Sequence, residues 1–153
     1  MTRILVLQGP NLNLLGTREP EIYGTDTLDQ IHTKIGRHAL DLHLEVVFFQ
    51  SNHEGALIDR LHERDFDAVI INAGGLTHTS ISLRDAVLAI GRPFVEVHLS
   101  DPSTREPFRQ VNFLADLAVE TIVGQGAKGY LVALERIAEL LGEGDRATRK
   151  PER

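Results

Sequence analysis

The sequence contains no cysteine, and aromatic residues make up only 5% of it. Without cysteine there can be no disulfide, no thiolate metal site and no cysteine nucleophile. So few aromatic rings leave little material for base-stacking platforms. A formal net charge of −6 argues against a surface that tracks nucleic-acid phosphates. No apolar run approaches the ~18 residues that a membrane span requires. The first such run, residues 4–7, is polar again by Gln8. Neither a secretory segment nor a membrane anchor is expected, and the chain is expected in the cytoplasm. Asn-x-Ser/Thr does not occur, so no glycosylation acceptor is offered.

What is present is alternation. Short apolar runs at 4–7, 46–49, 68–71, 94–97 and 121–123 read as strands, and helical patterns lie between most of them. Thr27 and Gln30 form a capping box ahead of Leu28, Ile31, Ile35, Ala39 and Leu42. Ser51 or Asn52 is expected to cap a second helix, and Thr79 or Ser80 a third, which Gly91-Arg92-Pro93 breaks. Residues 106–111 suggest a short helix, and Leu131, Leu134, Ile137, Ala138 and Leu141 make the apolar stripe of the last one. Strands that are apolar throughout belong to a parallel sheet covered on both faces. The expectation is a flavodoxin-like three-layer αβα fold with a five-stranded parallel sheet of order 2-1-3-4-5. One domain is expected over residues 1–142, with the polar stretch 143–153 as a disordered tail.

In such a sheet, ligands bind beyond the carboxyl ends of the strands at the switch point. The first strand delivers Gly9-Pro10-Asn11, the third Asn72-Ala73-Gly74-Gly75 and the fourth His98-Leu99-Ser100. Asn11, Asn72 and His98 are therefore expected to share one crevice. Gly124-x-Gly126-x-x-Gly129 matches a dinucleotide fingerprint, but no following βα unit supplies the ribose acid, so close helix–strand packing is the preferred reading. His32, His38, His43 and His62 fall on helices among polar residues, whereas His78 and His98 follow strands. No third ligand has suitable spacing for a metal, and none is expected. The connection 12–25 has the length of a lid. Within it, Tyr23 is either a hydrophobic anchor or a phenol whose ionised form is stabilised by Arg18. Arg105 and Arg109, spaced i and i+4, are either solvated or, beside the crevice, a clamp for an anionic substrate. The backbone N–H groups of Leu99 and Ser100 offer further donors.

These residues carry a resemblance. Gly9-Pro10-Asn11-Leu12-Asn13-Leu14-Leu15-Gly16, Arg18-Glu19-Pro20 and Tyr23-Gly24 resemble the opening of a type II 3-dehydroquinate dehydratase. So do Gln50-Ser51-Asn52-His53-Glu54-Gly55, Asn72-Ala73-Gly74-Gly75-Leu76-Thr77-His78-Thr79-Ser80 and Glu96-Val97-His98-Leu99-Ser100, in the family's order. The resemblance implies a hydro-lyase of the shikimate pathway to chorismate and the aromatic amino acids. It would convert 3-dehydroquinate into 3-dehydroshikimate through an enolate, without cofactor or metal. It also implies a homododecamer built as a tetramer of trimers, binding a small molecule and neither nucleic acid nor membrane.

By motif position, the resemblance makes Tyr23 the base, Arg18 its cationic support and Asn11 the residue that positions a water at the enolate. His98, oriented by Glu96, becomes the acid. Asn72, His78, Leu99, Ser100 and Arg109 hold substrate, Arg105 closes with the lid, Glu19 supports, and Asp85 reaches in from a neighbouring subunit. Gln110-Val111-Asn112-Phe113-Leu114 and Asp101-Pro102-Ser103-Thr104 depart from the family's usual pattern. The rival reading is a flavodoxin-like binding or signalling module. That reading wants Ser/Thr-rich or acidic residues after the first strand, where Gln8-Gly9-Pro10-Asn11 stands.

Overall fold

The structure, a computed structural model, describes the backbone of residues 1–148 and the side chains of residues 1–142. Five parallel strands, β1 (Arg3–Gln8), β2 (Glu45–Gln50), β3 (Ala68–Asn72), β4 (Phe94–His98) and β5 (Glu120–Val123), form one sheet in the order β2-β1-β3-β4-β5. This is the expected order. The helices are α1 (Pro20–Tyr23), α2 (Leu28–Asp41), α3 (Glu54–His62), α4 (Ile81–Ile90) and α5 (Lys128–Thr148).

The three central strands, β1, β3 and β4, are largely apolar because both of their faces are covered. Ile4, Val6, Ala68, Ile70, Val95 and Val97 point into a core closed by α2 and α5. Leu5, Leu7, Val69, Ile71 and Phe94 point the other way, against Leu57 and Leu61 of α3 and Leu83 and Val87 of α4. Each fully buried side chain of this kind contributes about 1.5–3 kcal/mol. The same period of 2 governs the polar residues at the strand ends. Gln8 and Asn72, which pair across β1 and β3, share the parity of the α2/α5 face. Glu96 and His98 share the parity of Phe94 and fall on the opposite face.

Thr27 caps α2 with both halves of its box in place, and the Ser80 side chain caps α4. The expected cap of α3 is not found. Glu54 opens that helix after His53, with no side-chain cap. Ser51 Oγ instead accepts the His53 N–H at 3.0 Å, and Asn52 Oδ1 accepts the Asn11 N–H at 2.9 Å. Both candidate caps are spent on fixing the loops beside the cleft. Arg105 and Arg109 do not share one helix face. They belong to successive 3₁₀ turns, Pro102–Thr104 (with Arg105 as its cap) and Pro107–Gln110. Pro107 forces the residue before it, Glu106, into extended backbone and so breaks the helix.

The glycine pattern after β5 has a packing explanation. Gly124 and Gly126 have φ of 72° and 58°, and a Cβ on Gly129 would stand 3.3 Å from Ile122 and Val97. α5 continues to Thr148, so the boundary expected at 142 falls inside a helix. The rest of the expected tail, residues 149–153, lies outside the described residues.

Candidate active site

A cleft of about 160 Å³ opens at the carboxyl ends of β1, β3 and β4. Backbones meet closely beneath it. A Cβ on Gly9 would collide with the Ala73 carbonyl, so only glycine lets the loops after β1 and β3 approach this far. Asn11, Asn72 and His98 all line the cleft, as the switch-point rule requires. So do Arg18, Tyr23, His78, Leu99, Ser100, Arg105 and Arg109. Glu96 lies behind His98. Glu19 sits at the start of α1, its carboxylate 3.9 Å from Arg18 Nε. Asp85 does not reach this cleft. It is exposed on α4, between exposed Ile81 and Leu88 on the same helical face.

Tyr23 is held between two guanidinium groups. Arg105 Nη1 donates to the phenolic oxygen at 2.7 Å. The Arg18 guanidinium lies over the ring, 4.6 Å from its centre, and that of Arg105 lies 5.2 Å from it. The expected support from Arg18 is therefore a ring-face contact, and the hydrogen bond to the phenolic oxygen comes from Arg105.

Glu96 is completely buried. Its Oε2 accepts from His98 Nε2 at 2.8 Å and from Asn112 Nδ2 at 2.9 Å. Its Oε1 accepts from Asn112 Nδ2 and Thr121 Oγ1, each at 3.0 Å. Burial opposes the charge on Glu96, but the His98 hydrogen bond and charge, with Asn112 and Thr121, outweigh it. They hold the carboxyl below its ordinary range. An ionised Glu96 can only accept, so the hydrogen between the two side chains sits on His98 Nε2.

His78 Nδ1 donates to the Val111 carbonyl at 2.6 Å, which leaves Nε2 for a ligand. The carbonyls of His98, Leu99 and Ser100 accept from Gly124 and Gly126, while the N–H groups of Leu99 and Ser100 make no hydrogen bond among the described residues. Arg109 Nε pairs with Glu106 at 2.6 Å, and its terminal nitrogens remain. Three arginines line the cleft and, among the described residues, no carboxylate does. That suits an anion carrying a carboxylate and hydroxyls. No group of three His, Asp or Glu side chains gathers in metal-binding geometry among the described residues.

Not legible in the sequence were Asn112, Thr121 and the group that backs Asn72, buried Gln8 and Tyr130 with half-buried His32. Only a partial signal exists. Gln8 and Glu96 are polar residues inside apolar strands, and Thr121 pairs with Glu96 in the β4–β5 register.

The chain is similar to known proteins over most of its length. Residues 2–138 match the family model described as dehydroquinase class II. A 3-dehydroquinate dehydratase of Halothermothrix orenii is 51% identical over 146 residues, covering 94% of this chain and 99% of that one. A catabolic 3-dehydroquinase of Aspergillus flavus is 51% identical over 92% of this chain and 95% of its own length. The crystal structure of type II dehydroquinase from Propionibacterium acnes superposes with a TM-score of 0.86 at 36% identity, over 91% of this chain and 97% of that chain. The chain belongs to the dehydroquinase class II family.

Proposed function

We propose that Tyr23 and His98 divide the work of dehydration in this cleft. The reaction is the removal of water from 3-dehydroquinate to give 3-dehydroshikimate in the shikimate pathway, a hydro-lyase activity. The observation that carries the assignment is the Tyr23 phenol held by Arg105 and Arg18 in the same cleft as the Glu96–His98 pair. As phenolate, Tyr23 takes the proton alpha to the ketone, and the electron pair of that C–H bond becomes an enolate. Asn11 positions a water at the enolate oxygen. The enolate then collapses, the C–O bond to the beta hydroxyl breaks, and His98 Nδ1–H delivers the proton that makes the leaving group water. Glu96 offsets the charge of the imidazolium before transfer. Asn72, His78, Arg109 and the N–H groups of Leu99 and Ser100 hold the carboxylate and hydroxyls.

The assembly belongs to the same reading: a cytoplasmic homododecamer, a tetramer of trimers, in which Asp85 reaches a neighbour's cleft. Ile81 and Leu88, 58% and 54% exposed, flank Asp85 at i−4 and i+3 on α4 and supply an apolar face for a second copy. Addition of 3-dehydroquinate to the folded chain is expected to raise the near-ultraviolet absorbance of a conjugated enone. A flat trace with well-folded protein would exclude the dehydration.

A further inference from the structure

Behind Asn72 lies a buried line of hydrogen bonds that the mechanism above does not use. Asn72 Nδ2 donates to the Tyr130 hydroxyl at 2.9 Å. Tyr130 Oη donates to Gln8 Oε1 at 2.7 Å, and Gln8 Nε2 stands 3.3 Å from His32 Nε2. Tyr130 and Gln8 are 0% exposed and Asn72 is 3% exposed. The line joins α2, β1, β3 and α5, because Gln8 and Asn72 are cross-strand partners on the α2/α5 face and Tyr130 of α5 spans them.

The polarity of the line follows from its one immovable member. The backbone N–H of Gly74 can only donate, and it does so to Asn72 Oδ1 at 3.2 Å. Asn72 must therefore turn Nδ2 toward Tyr130. The phenol then accepts from Asn72 and has its single hydrogen left for Gln8 Oε1. Gln8 must turn Nε2 toward His32, and His32 Nε2 must be bare, with the ring neutral and its hydrogen on Nδ1. His32 stacks on Phe48 with ring centres 4.1 Å apart, a half-buried setting that fits a neutral ring.

We propose that Tyr130 is a positioning residue for the Asn72 amide, holding it at the cleft through a buried hydrogen-bond line that ends on neutral His32. This rests on Asn72 as a substrate-holding residue. With Oδ1 committed to Gly74 and one amide hydrogen to Tyr130, the amide plane is pinned at two points, and the second amide hydrogen is the donor left for substrate. In Tyr130→Phe, Asn72 loses one pin and Gln8 Oε1 loses its donor.

The test is a double-mutant cycle of Tyr130→Phe and Asn72→Ala, read as kcat, KM and Tm with 3-dehydroquinate. Tyr130→Phe should raise KM about tenfold, the weight of one hydrogen bond of about 1.4 kcal/mol. Added to Asn72→Ala, it should lower Tm further and leave kcat and KM where Asn72→Ala put them. Unchanged kinetics in Tyr130→Phe alone, or fully additive kinetic losses, would overturn the proposal and leave Tyr130 purely structural. Wild-type kinetics in Asn72→Ala would instead remove the reading of Asn72 on which the proposal rests. The wild-type chain supplies a second readout that needs no variant. Its ¹⁵N spectrum should show His32 with hydrogen on Nδ1 alone. A hydrogen on Nε2 contradicts the polarity of the line, and that result decides the matter if Tyr130→Phe does not fold.

Discussion

Arg105 donates to the Tyr23 oxygen, while Arg18 lies over the ring. The two arginines therefore act on one phenol in different ways, and their removal should differ in size. A hydrogen bond to a charged group carries about 1.5–3 kcal/mol. Arg105→Ala should accordingly lower kcat by roughly 10- to 100-fold at neutral pH. Steady-state kinetics check this, and an Arg105→Ala enzyme with wild-type kcat would remove the Arg105–Tyr23 hydrogen bond from the reaction. The sequence placed both arginines near Tyr23 but not their geometry. Arg105 is 82 residues from Tyr23, and the turn that aims it depends on Pro102 and Pro107. Glu96 and His98 were legible as a pair through the family resemblance, and the strand agrees with it, since residues two apart share a face. Asn112 and Thr121 were not, because their place beside Glu96 comes from the path of a loop and from the β4–β5 register.

At the scale of elements, two substitutions separate the scaffold from the site. Thr27→Ala removes the capping box of α2, and Thr27 does not line the cleft. That cap is worth about 1 kcal/mol, which lowers Tm by about 2–4 °C in a chain of this length. kcat and KM should not move. Gly9→Ala places a methyl group against the Ala73 carbonyl and forces apart the loops after β1 and β3. Overpacking of this kind costs about 1–3 kcal/mol. Here KM should rise along with the fall in Tm, because Asn11 and Asn72 line the cleft on those loops. Thermal scans paired with steady-state kinetics check both. A Gly9→Ala enzyme with unchanged KM would mean that the close approach matters only for folding. The strands were legible as short apolar runs, and their order followed from right-handed crossovers between five parallel strands. The cap of α3 was misread because Ser51 and Asn52 have the right chemistry for a cap but spend it on the neighbouring loop.

For the whole molecule, net charge and local charge point opposite ways. The chain carries −6, yet three arginines and no carboxylate line the cleft among the described residues. An anion is drawn to this one face rather than to the surface at large. The proposed assembly would place Asp85 of one copy at the cleft of another, burying the apolar face of α4. Light scattering should give a mass far above that of a trimer, and Asp85→Ala should weaken substrate affinity while that mass persists. A fully active monomer would remove both the assembly and the role of Asp85. The central claim is that the Tyr23 hydroxyl is the base. It is tested most directly by Tyr23→Phe, with turnover followed by enone absorbance and substrate binding by calorimetry. Tyr23→Phe should retain binding and lose about 10²–10⁴-fold in kcat, the usual weight of a general base. A Tyr23→Phe enzyme that keeps more than about a tenth of the wild-type rate, well short of that loss, would contradict it and leave Tyr23 as an anchor of the lid.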